Sequence, residues 1–351
     1  MAAKQLPSTL RQLLVKKLGT NFREVTEIAA KPIPQLGAKD ILIKNRYVGI
    51  NASDINFTAG RYDPTLRPPF PAGFEGLGEV AAVGESSKIK PGQFVAYSHF
   101  GAFADYIVVP EKVAIPVPAC DPGLISIMVS GLTASIALDK SADLKSGETV
   151  LVTAAAGGTG QYAVQLAKLA GCHVIGTCSS QDKVEFLQSI GCDRAVNYRQ
   201  ENLDAVLSKE YPKGVDVVYE SVGADMFKTS VKNLARFGRL LVIGQIATYE
   251  GTVKVDDLSA AATAMMLLTK SASMKGFLLF HYPADFAGHV AKLAQLYMEG
   301  KLKVSVDKGE RAATGPFVGL EKVADAVEYM YTRANVGKIV VEVSPELKSS
   351  L

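Results

Sequence analysis

A strand followed by a glycine-rich turn and a helix constrains the fold of this 351-residue chain more than any other feature. The apolar segment that begins at Leu151 leads into three glycines: Gly157, Gly158 and Gly160. Glycines let the backbone approach a diphosphate without Cβ atoms in the way, and the start of the next helix offers unpaired N–H groups. The spacing A-x-x-G-G-x-G differs from the usual G-x-G-x-x-G, so a tight turn without a ligand is the alternative interpretation.

Strands and helices alternate along the middle of the chain, where apolar β runs and helical periodicities follow one another. The predicted strands are Thr149–Ala154, His173–Thr177, Ala195–Asn197, Val215–Tyr219 and Arg239–Ile243, and the predicted helices are Gln161–Ala170, Gln181–Ile190, Leu203–Tyr211 and Ala224–Ala235. Alternation of this kind predicts parallel strands with crossover helices. We therefore expect an α/β fold with a Rossmann-type doubly wound parallel sheet over residues 130–303.

The two ends of the chain are predicted to form a second, mostly β domain over residues 1–129 and 304–351. Before residue 130, short β-like runs such as Ile41–Asn45 and Phe94–Tyr97 are separated by turns rich in glycine and proline. The remaining predicted elements are a first strand near Leu13–Leu18, helices near Ala284–Glu299 and Leu320–Tyr331, and a last strand at Lys338–Val343.

Composition argues against several classes of function. The chain has 38 basic and 35 acidic residues, a net charge of +3, and no run of five Lys or Arg, so a nucleic-acid surface is not indicated. We predict no membrane span, because the longest apolar stretch, around Ala260–Leu268, is about half of the roughly 18 residues needed. The four cysteines form no C-x-x-C pair, and no H-x-x-H arrangement is present, so no zinc motif can be read.

The end of the second strand of the predicted Rossmann domain indicates which dinucleotide fits. An NAD enzyme carries Asp or Glu there to hold the ribose 2′-hydroxyl. This sequence has Ser179 and Ser180 instead, with Lys183 one helical turn later. Hydroxyls and an ammonium suit a 2′-phosphate, which predicts NADPH rather than NADH, although Lys183 could be an ordinary exposed helix lysine. Tyr198, after the third strand, is predicted to lie against the adenine or the phosphate, with simple packing as the alternative.

Two segments in the first 80 residues carry a family resemblance. The segment N-A-S-D from Asn51 to Asp54 matches an N-x-x-D motif, and G-F-E from Gly73 to Glu75 stands where other sequences have G-H-E. Both segments resemble the corresponding motifs of the zinc-free quinone and enone reductases, a branch of the medium-chain dehydrogenase/reductase superfamily. The resemblance implies a GroES-like catalytic domain beside the Rossmann domain, and a homodimer. Because Phe74 replaces the zinc-binding His of the zinc alcohol dehydrogenases, we expect no zinc.

Further segments narrow the resemblance to the prostaglandin reductases within that branch. They are F-R-E from Phe22, A-G-R-Y-D-P from Ala59, T-C-S-S from Thr177 and N-x-G-K-I-V-V-E from Asn335. The resemblance implies an NADPH-dependent 15-oxoprostaglandin 13-reductase, which saturates a double bond conjugated to a ketone. It also implies a peroxisomal location, for which the final Ser-Ser-Leu is a partial match to S-K-L, with the cytoplasm as the alternative.

The same resemblance implies the residues of the NADPH site. Carried over by matching segments, they are Gly157, Gly158, Thr159, Gly160, Ser179, Lys183, Tyr198, Ser221, Ile243, Phe277, Leu278, Leu279 and Asn335. The four apolar residues among them are equally compatible with an ordinary core.

Two tyrosines are the candidates for catalysis. Hydride addition to an enone puts negative charge on the ketone oxygen, so an O–H donor aimed at that oxygen is needed. Tyr249 lies in G-Q-I-A-T-Y, which resembles the G-Q-I-x-x-Y loop of prostaglandin reductases, and Tyr62 matches a tyrosine near the nicotinamide in quinone reductases. Asn51 and Asp54 are expected to position loops and cofactor, because Asp54 is expected to be ionised. Quinone reduction and NADPH binding without catalysis are the alternative functions.

Overall fold

The computed structural model describes residues 6–251 and 260–344, so the C-terminal Ser-Ser-Leu lies outside the described residues. The chain forms two compact units. One, the parallel-sheet unit, is Ser130–Ser305, and the other, the β unit, combines Met1–Val129 with Val306–Leu351.

The described strands are β1 Thr9–Val15, β2 Thr26–Pro32, β3 Asp40–Gly49, β4 Phe70–Pro71, β5 Glu75–Val83, β6 Phe94–Ser98, β7 Tyr106–Pro110, β8 Ala114–Val117, β9 Thr149–Val152, β10 His173–Cys178, β11 Arg194–Asn197, β12 Val215–Glu220, β13 Leu234–Val242, β14 Ser273–Gly276, β15 Val306–Asp307 and β16 Lys338–Glu342. The described α-helices are α1 Phe22–Val25, α2 Ser53–Thr58, α3 Pro122–Ser126, α4 Leu132–Ala137, α5 Gly160–Leu169, α6 Gln181–Ser189, α7 Leu203–Glu210, α8 Ala224–Lys232, α9 Ile246–Tyr249, α10 Ala260–Lys270, α11 Phe286–Met298 and α12 Val323–Tyr331.

The parallel-sheet unit confirms the predicted doubly wound fold. Its six described strands follow the order β11-β10-β9-β12-β13-β14, and every neighbouring pair is parallel. Leu151, Ile175 and Val218 are fully buried at the centre of the sheet. Nearly continuous apolar strands are typical of a sheet with helices on both faces, which is why the strands could be read from the sequence.

Strand β13 begins earlier than the sequence suggests. The helix predicted over Ala224–Ala235 ends at Lys232, and the strand predicted from Arg239 begins at Leu234. Leu234 pairs with Val215 of β12, and a register shift separates this pair from the rest of the ladder. The sheet pairing of a buried leucine therefore overrides its local helical preference.

The prediction that no apolar segment reaches the length of a membrane span was wrong. The helical segment Pro122–Ala142 has 21 residues and is long and apolar enough, by length and composition, to cross a membrane. Of its most apolar 18-residue window, 83% is buried within the structure. Burial of this extent is typical of the core helix of a globular protein. Two π-helical stretches, Ile127–Gly131 and Leu138–Ala142, interrupt its α-helical hydrogen bonding.

The β unit contains two described sheets. The smaller follows the order β2-β1-β4, and the larger follows β15-β16-β3-β5-β6-β8, with β7 also paired to β3. The larger sheet contributes Ile41, Ile43 and Val109 to a buried hydrophobic core. In the larger sheet β3 lies between β16 and β5, so the end of β3 comes close to the starts of both neighbours. This arrangement assembles the polar cluster described below.

Candidate active site

The carboxyl ends of the six parallel strands meet at one edge of their sheet, and the predicted cofactor residues of this unit follow those ends. The glycine turn comes after β9, Ser179 after β10, Tyr198 after β11, Ser221 after β12, Ile243 after β13, and Phe277 to Leu279 after β14. In a doubly wound sheet, ligands bind outside this edge, where the strand order reverses. Here the reversal lies between the neighbouring strands β9 and β12.

Close packing explains the last glycine of the turn. A Cβ atom on Gly160, the first residue of α5, would lie 2.4 Å from the carbonyl oxygen of Ala154. The left-handed backbone of the turn falls on Ala154, with φ of 47°, and the N–H of Gly157 donates to the Ala154 carbonyl at 2.9 Å. A ten-residue helix thus begins behind a turn without bulky side chains, which fits a diphosphate.

A buried hydrogen-bond network joins the turns that follow β9 and β12. The N–H of Ser221 donates to Thr153 Oγ1 at 2.8 Å, and the carboxylate of Glu220 accepts from the N–H groups of Val222 and Gly223 at 3.0–3.1 Å. Burial raises the pKa of Glu220 to about 7, against the opposing effect of these donors. Ser221 Oγ is buried without a hydrogen-bond partner among the described residues, so a ligand at this edge could supply one.

The three residues predicted for the 2′-phosphate follow the strands β10 and β11, on the other side of β9. Ser179 and Lys183 are 5% and 7% exposed, and the N–H of Tyr198 donates to the carbonyl of Cys178 at 3.0 Å. Lys183 is therefore not the exposed helix lysine considered as the alternative. A buried ammonium needs anionic or hydrogen-bonding surroundings, which makes this position suitable for a phosphate.

Tyr249 lies at the end of the short helix α9 and is half-buried. Its phenol oxygen accepts a hydrogen bond from the N–H of Gln245 at 2.9 Å. The tyrosine side chain is therefore bonded to the backbone of its own loop. Phe277 and Leu279 are buried, and Phe277 stacks on Tyr282 with ring centroids 4.9 Å apart. Phe277 and Leu279 directly follow β14, which ends at Gly276.

The β unit holds a buried polar cluster formed by Asn51, Asp54, Glu75 and Lys338. Lys338 Nζ lies 2.5 Å from Glu75 Oε1 and 2.6 Å from Asn51 Oδ1. Asn51 Nδ2 donates to Glu75 Oε1 at 2.9 Å, and the backbone N–H of Asn51 donates to Asp54 Oδ2 at 2.8 Å. The ammonium and the Glu75 carboxylate are 2% and 0% exposed, so each depends on the other for charge compensation.

The expectation that Asp54 is ionised was wrong. Burial raises the pKa of Asp54 to about 8, while the Asn51 N–H and the Lys338 ammonium act in the opposite direction and Glu75 adds to the rise. Asp54 is therefore mainly protonated at neutral pH. The cluster consequently holds one positive charge, one negative charge and a neutral acid.

The protonation of Asp54 predicts that stability falls as pH rises. The folded protein keeps this proton from about pH 4 to pH 8, whereas the unfolded chain releases it near 3.8. The free energy of unfolding should therefore decrease by up to about 1.4 kcal/mol per pH unit in this range. Asp54→Asn should remove this contribution, because an asparagine accepts the Asn51 N–H and does not ionise. Urea unfolding of both proteins at several pH values measures the difference.

Asp225→Asn is the matched control for this prediction, since the Asp225 side chain is 96% exposed. It should keep the wild-type pH dependence. If Asp54→Asn also keeps the wild-type slope, Asp54 is ionised in the folded protein.

Tyr62 also lies in the β unit and is 37% exposed. Asn56 Nδ2 donates to its phenol oxygen at 2.9 Å, and Phe57 meets its ring edge-on, with centroids 5.4 Å apart. Phe57 also packs against Phe74, at 4.4 Å between centroids. Asn335, predicted for the cofactor site, donates from Nδ2 to the Gly337 carbonyl at 3.0 Å, in the turn before β16.

Sequence reasoning missed the roles of Lys338, Glu220 and Asn56. Lys338 opens the apolar strand K-I-V-V-E, and a lysine at the start of such a run is the signal that could have indicated a buried ion pair. Glu220 ends the buried strand β12 in the same way. A charged residue within an apolar strand is almost always paired or hydrogen-bonded.

The sequence matches two family models, the alcohol dehydrogenase GroES-like domain over residues 37–119 and the zinc-binding dehydrogenase over residues 158–295. A quinone oxidoreductase of Escherichia coli, solved in complex with NADPH, is 26% identical and superposes with a TM-score of 0.81, covering 95% of this chain and 99% of that one. Together with the fold, these matches show that the chain belongs to the medium-chain dehydrogenase/reductase superfamily.

Two mammalian relatives are more similar in sequence. Prostaglandin reductase-3 of Mus musculus is 51% identical and that of Bos taurus 52% identical, each over 349 residues. Each match covers 99% of this chain and 93% of the relative. The family resemblance read from the motifs is thereby confirmed over nearly the whole chain.

The name of one matching family model, the zinc-binding dehydrogenase, implies a zinc ion. The residues of the β unit do not fit such an ion. Phe74 stands in the G-F-E segment, and its ring packs against Phe57 and Phe100. The neighbouring Glu75 already pairs with the Lys338 ammonium, which would repel a second cation. Within residues 6–251 and 260–344, no group of three or more His, Cys, Asp or Glu side chains could hold a metal ion.

Proposed function

We propose that the protein is an NADPH-dependent reductase of enones and that it acts on 15-oxoprostaglandins, giving 13,14-dihydro-15-oxoprostaglandins. The full-length similarity to the prostaglandin reductase-3 proteins carries the proposal. Ser179 and Lys183, both buried after β10, support NADPH as the cofactor, because a carboxylate at the end of β10 would favour NADH.

The parallel-sheet unit would hold NADPH along its carboxyl edge. The turn around Gly157 and Gly160 would take the diphosphate, and Ser179 and Lys183 the 2′-phosphate. Ser221 Oγ would find there the hydrogen-bond partner that the described residues do not supply. When bound, NADPH supplies the hydride for the β-carbon of the enone.

The protein's own contribution is a donor for the ketone oxygen, on which negative charge develops. A phenol suits this task because it can donate a hydrogen bond while neutral. In both candidates, Tyr62 and Tyr249, the phenol oxygen accepts a hydrogen bond from an N–H group. Phe57 and Phe100, whose rings pack on the buried Phe74, offer an apolar surface next to Tyr62. Such a surface suits a lipid enone.

A comparison of two acceptors tests the substrate class. NADPH oxidation is followed by absorbance with 15-oxo-prostaglandin E2 and, separately, with an ortho-quinone. We expect the higher kcat/KM for the enone and faster turnover with NADPH than with NADH. A higher kcat/KM for the quinone would favour the quinone reductase alternative. Thermal stabilisation by NADPH without turnover of either acceptor would favour a binding role.

We further propose that the protein is a homodimer that pairs through β14. This strand ends the described part of the parallel sheet, and all four of its residues are exposed. An exposed strand edge has unpaired N–H and C=O groups, which a second copy can pair. Sedimentation equilibrium should give twice the chain mass of 37.3 kDa, and a single-chain mass would contradict the proposal.

A further inference from the structure

Two glutamines of the parallel-sheet unit bind the segment 303–305 through their side-chain amides. Gln161 Nε2 donates to the Ser305 carbonyl at 3.1 Å, and the Ser305 N–H donates to Gln161 Oε1 at 2.7 Å. Gln165 pairs with Lys303 in the same way, with 2.8 Å for the bond to the Lys303 carbonyl and 2.8 Å for the bond from its N–H. Each side-chain amide thus pairs with both backbone groups of one residue.

A match between two structural repeats explains this double pairing. Residues four apart on a helix are separated by about 6 Å along its axis. Alternate residues of an extended chain are separated by about 6.6 Å and direct their N–H and C=O groups to the same side. Gln161 and Gln165 on α5 therefore reach Ser305 and Lys303 in antiparallel order. The backbone N–H groups also fix the orientation of both amides, because each N–H can donate only to the amide oxygen.

Both amides are buried, since Gln161 and Gln165 are 0% and 5% exposed. A buried amide that loses its partners carries the full cost of desolvation, so separation of the segment from α5 is unfavourable. The pairing therefore holds the segment 303–305 in one arrangement against the helix that begins at the glycine turn.

Gln161 also contacts the glycine turn itself. It is the second residue of α5, and its backbone N–H donates to the Gly157 carbonyl at 3.2 Å. Its Nε2 lies 3.4 Å from the Gly158 carbonyl, a longer hydrogen bond to the same turn. Ser305 is the last residue of the parallel-sheet unit. One buried side chain thus joins the turn expected to take the diphosphate to the residue at which the chain leaves this unit.

We propose that Gln161 and Gln165 are positioning residues for NADPH, which hold the glycine turn against the segment 303–305, so that binding of the diphosphate at the turn also orders the segment. The inference rests on the place given to the diphosphate under the proposed function, and it holds for any hydride acceptor. Because coupling between two sites is reciprocal, a change that loosens the segment must weaken NADPH binding.

The affinities of two ligands test the positioning role. Gln161→Met keeps the length and the helical preference of the side chain, and it should raise the Kd of NADPH about 5- to 20-fold, the lower part of the usual range for coupled sites. The Kd of adenosine 2′-monophosphate, which lacks the diphosphate, should not change, because its phosphate would bind at Ser179 and Lys183. Isothermal titration calorimetry gives both constants. Equal losses for the two ligands, or no loss for NADPH, would overturn the proposal.

Two further glutamine variants locate the coupling. Gln165→Met removes the pairing with Lys303 but keeps the contact of Gln161 with the turn, so it should raise the Kd of NADPH less than Gln161→Met does. Gln188→Met is the matched control, because Gln188 is an exposed residue of α6, and it should leave the Kd unchanged. A larger effect of Gln165→Met than of Gln161→Met would contradict the route through the turn.

Hydrogen–deuterium exchange of the wild-type protein measures the coupling without any variant, and it decides the question even if Gln161→Met does not fold. The amides of Lys303 and Ser305 are compared with and without NADPH, at single-residue resolution. We expect NADPH to slow their exchange about 5-fold or more, and adenosine 2′-monophosphate to leave it unchanged. Protection of residues 157–160 without protection of Lys303 and Ser305 would overturn this inference and leave the diphosphate in its place. Protection of neither would contradict that place as well.

Discussion

Replacing Lys338 by methionine is expected to lower the free energy of unfolding by about 3–5 kcal/mol, the usual cost of removing one partner from a buried ion pair. The Glu75 carboxylate is 0% exposed and lies 2.5 Å from the Lys338 ammonium, so it would lose its cation without gaining water. Asn51 Oδ1 would lose its donor at the same time. Urea unfolding followed by circular dichroism measures the change.

Two further variants define the cause. Lys145→Met is the control, because Lys145 and its neighbour Asp143 have side chains 71% and 87% exposed, and this change should cost less than about 1 kcal/mol. Adding Glu75→Gln to Lys338→Met should recover much of the loss, since the uncompensated charge is then gone. A destabilisation by Lys338→Met as small as that of Lys145→Met would show that the pair is not buried.

Lys183→Ala is expected to raise KM for NADPH about 10- to 100-fold, the range for loss of a charge-assisted hydrogen bond to a phosphate. KM for NADH should hardly change, because NADH lacks the 2′-phosphate. Ser179 and Tyr198 stay in place in this variant, so the remaining site still binds the rest of the dinucleotide. Steady-state kinetics with both cofactors at saturating enone give the two ratios.

Lys209→Ala provides the comparison for this cofactor test. Lys209 is an exposed lysine in the last turn of α7, and its removal changes the net charge equally. It should leave both KM values near those of the wild type. Equal increases for NADPH and NADH in Lys183→Ala would mean that Lys183 supports the fold of the site and does not read the 2′-phosphate.

The parallel-sheet unit was largely predictable because its strands are buried on both faces. The runs T-V-L-V of β9 and H-V-I-G-T-C of β10 are apolar almost throughout, and short turns separate them from amphipathic helices. Parallel topology then places the ends of all strands at one edge, so residues following those ends could be grouped without coordinates. The helical segment Pro122–Ala142 was not predicted from the sequence, because small and polar residues such as Ser130 and Gly131 interrupt its apolar pattern.

The polar clusters of the β unit could not be derived from the sequence alone. Lys338 meets Asn51 from a position 287 residues away, through pairing of β16 with β3 that no local pattern encodes. The protonation of Asp54 depends on its complete burial, which changes the charge expected from its residue type. Family motifs identified Asn51, Asp54 and Tyr62 as relevant, but the partners of these residues emerged only from the fold.

The destination of the hydride tests the proposed function most directly. A 15-oxoprostaglandin is reduced with NADPH that carries deuterium at the transferable position of its nicotinamide, and the product is analysed by mass spectrometry and NMR. We predict deuterium at C13 and a solvent-derived hydrogen at C14, with the C15 ketone retained. Deuterium at C15 in a product that still contains the double bond would show carbonyl reduction and would contradict the assignment as an enone reductase.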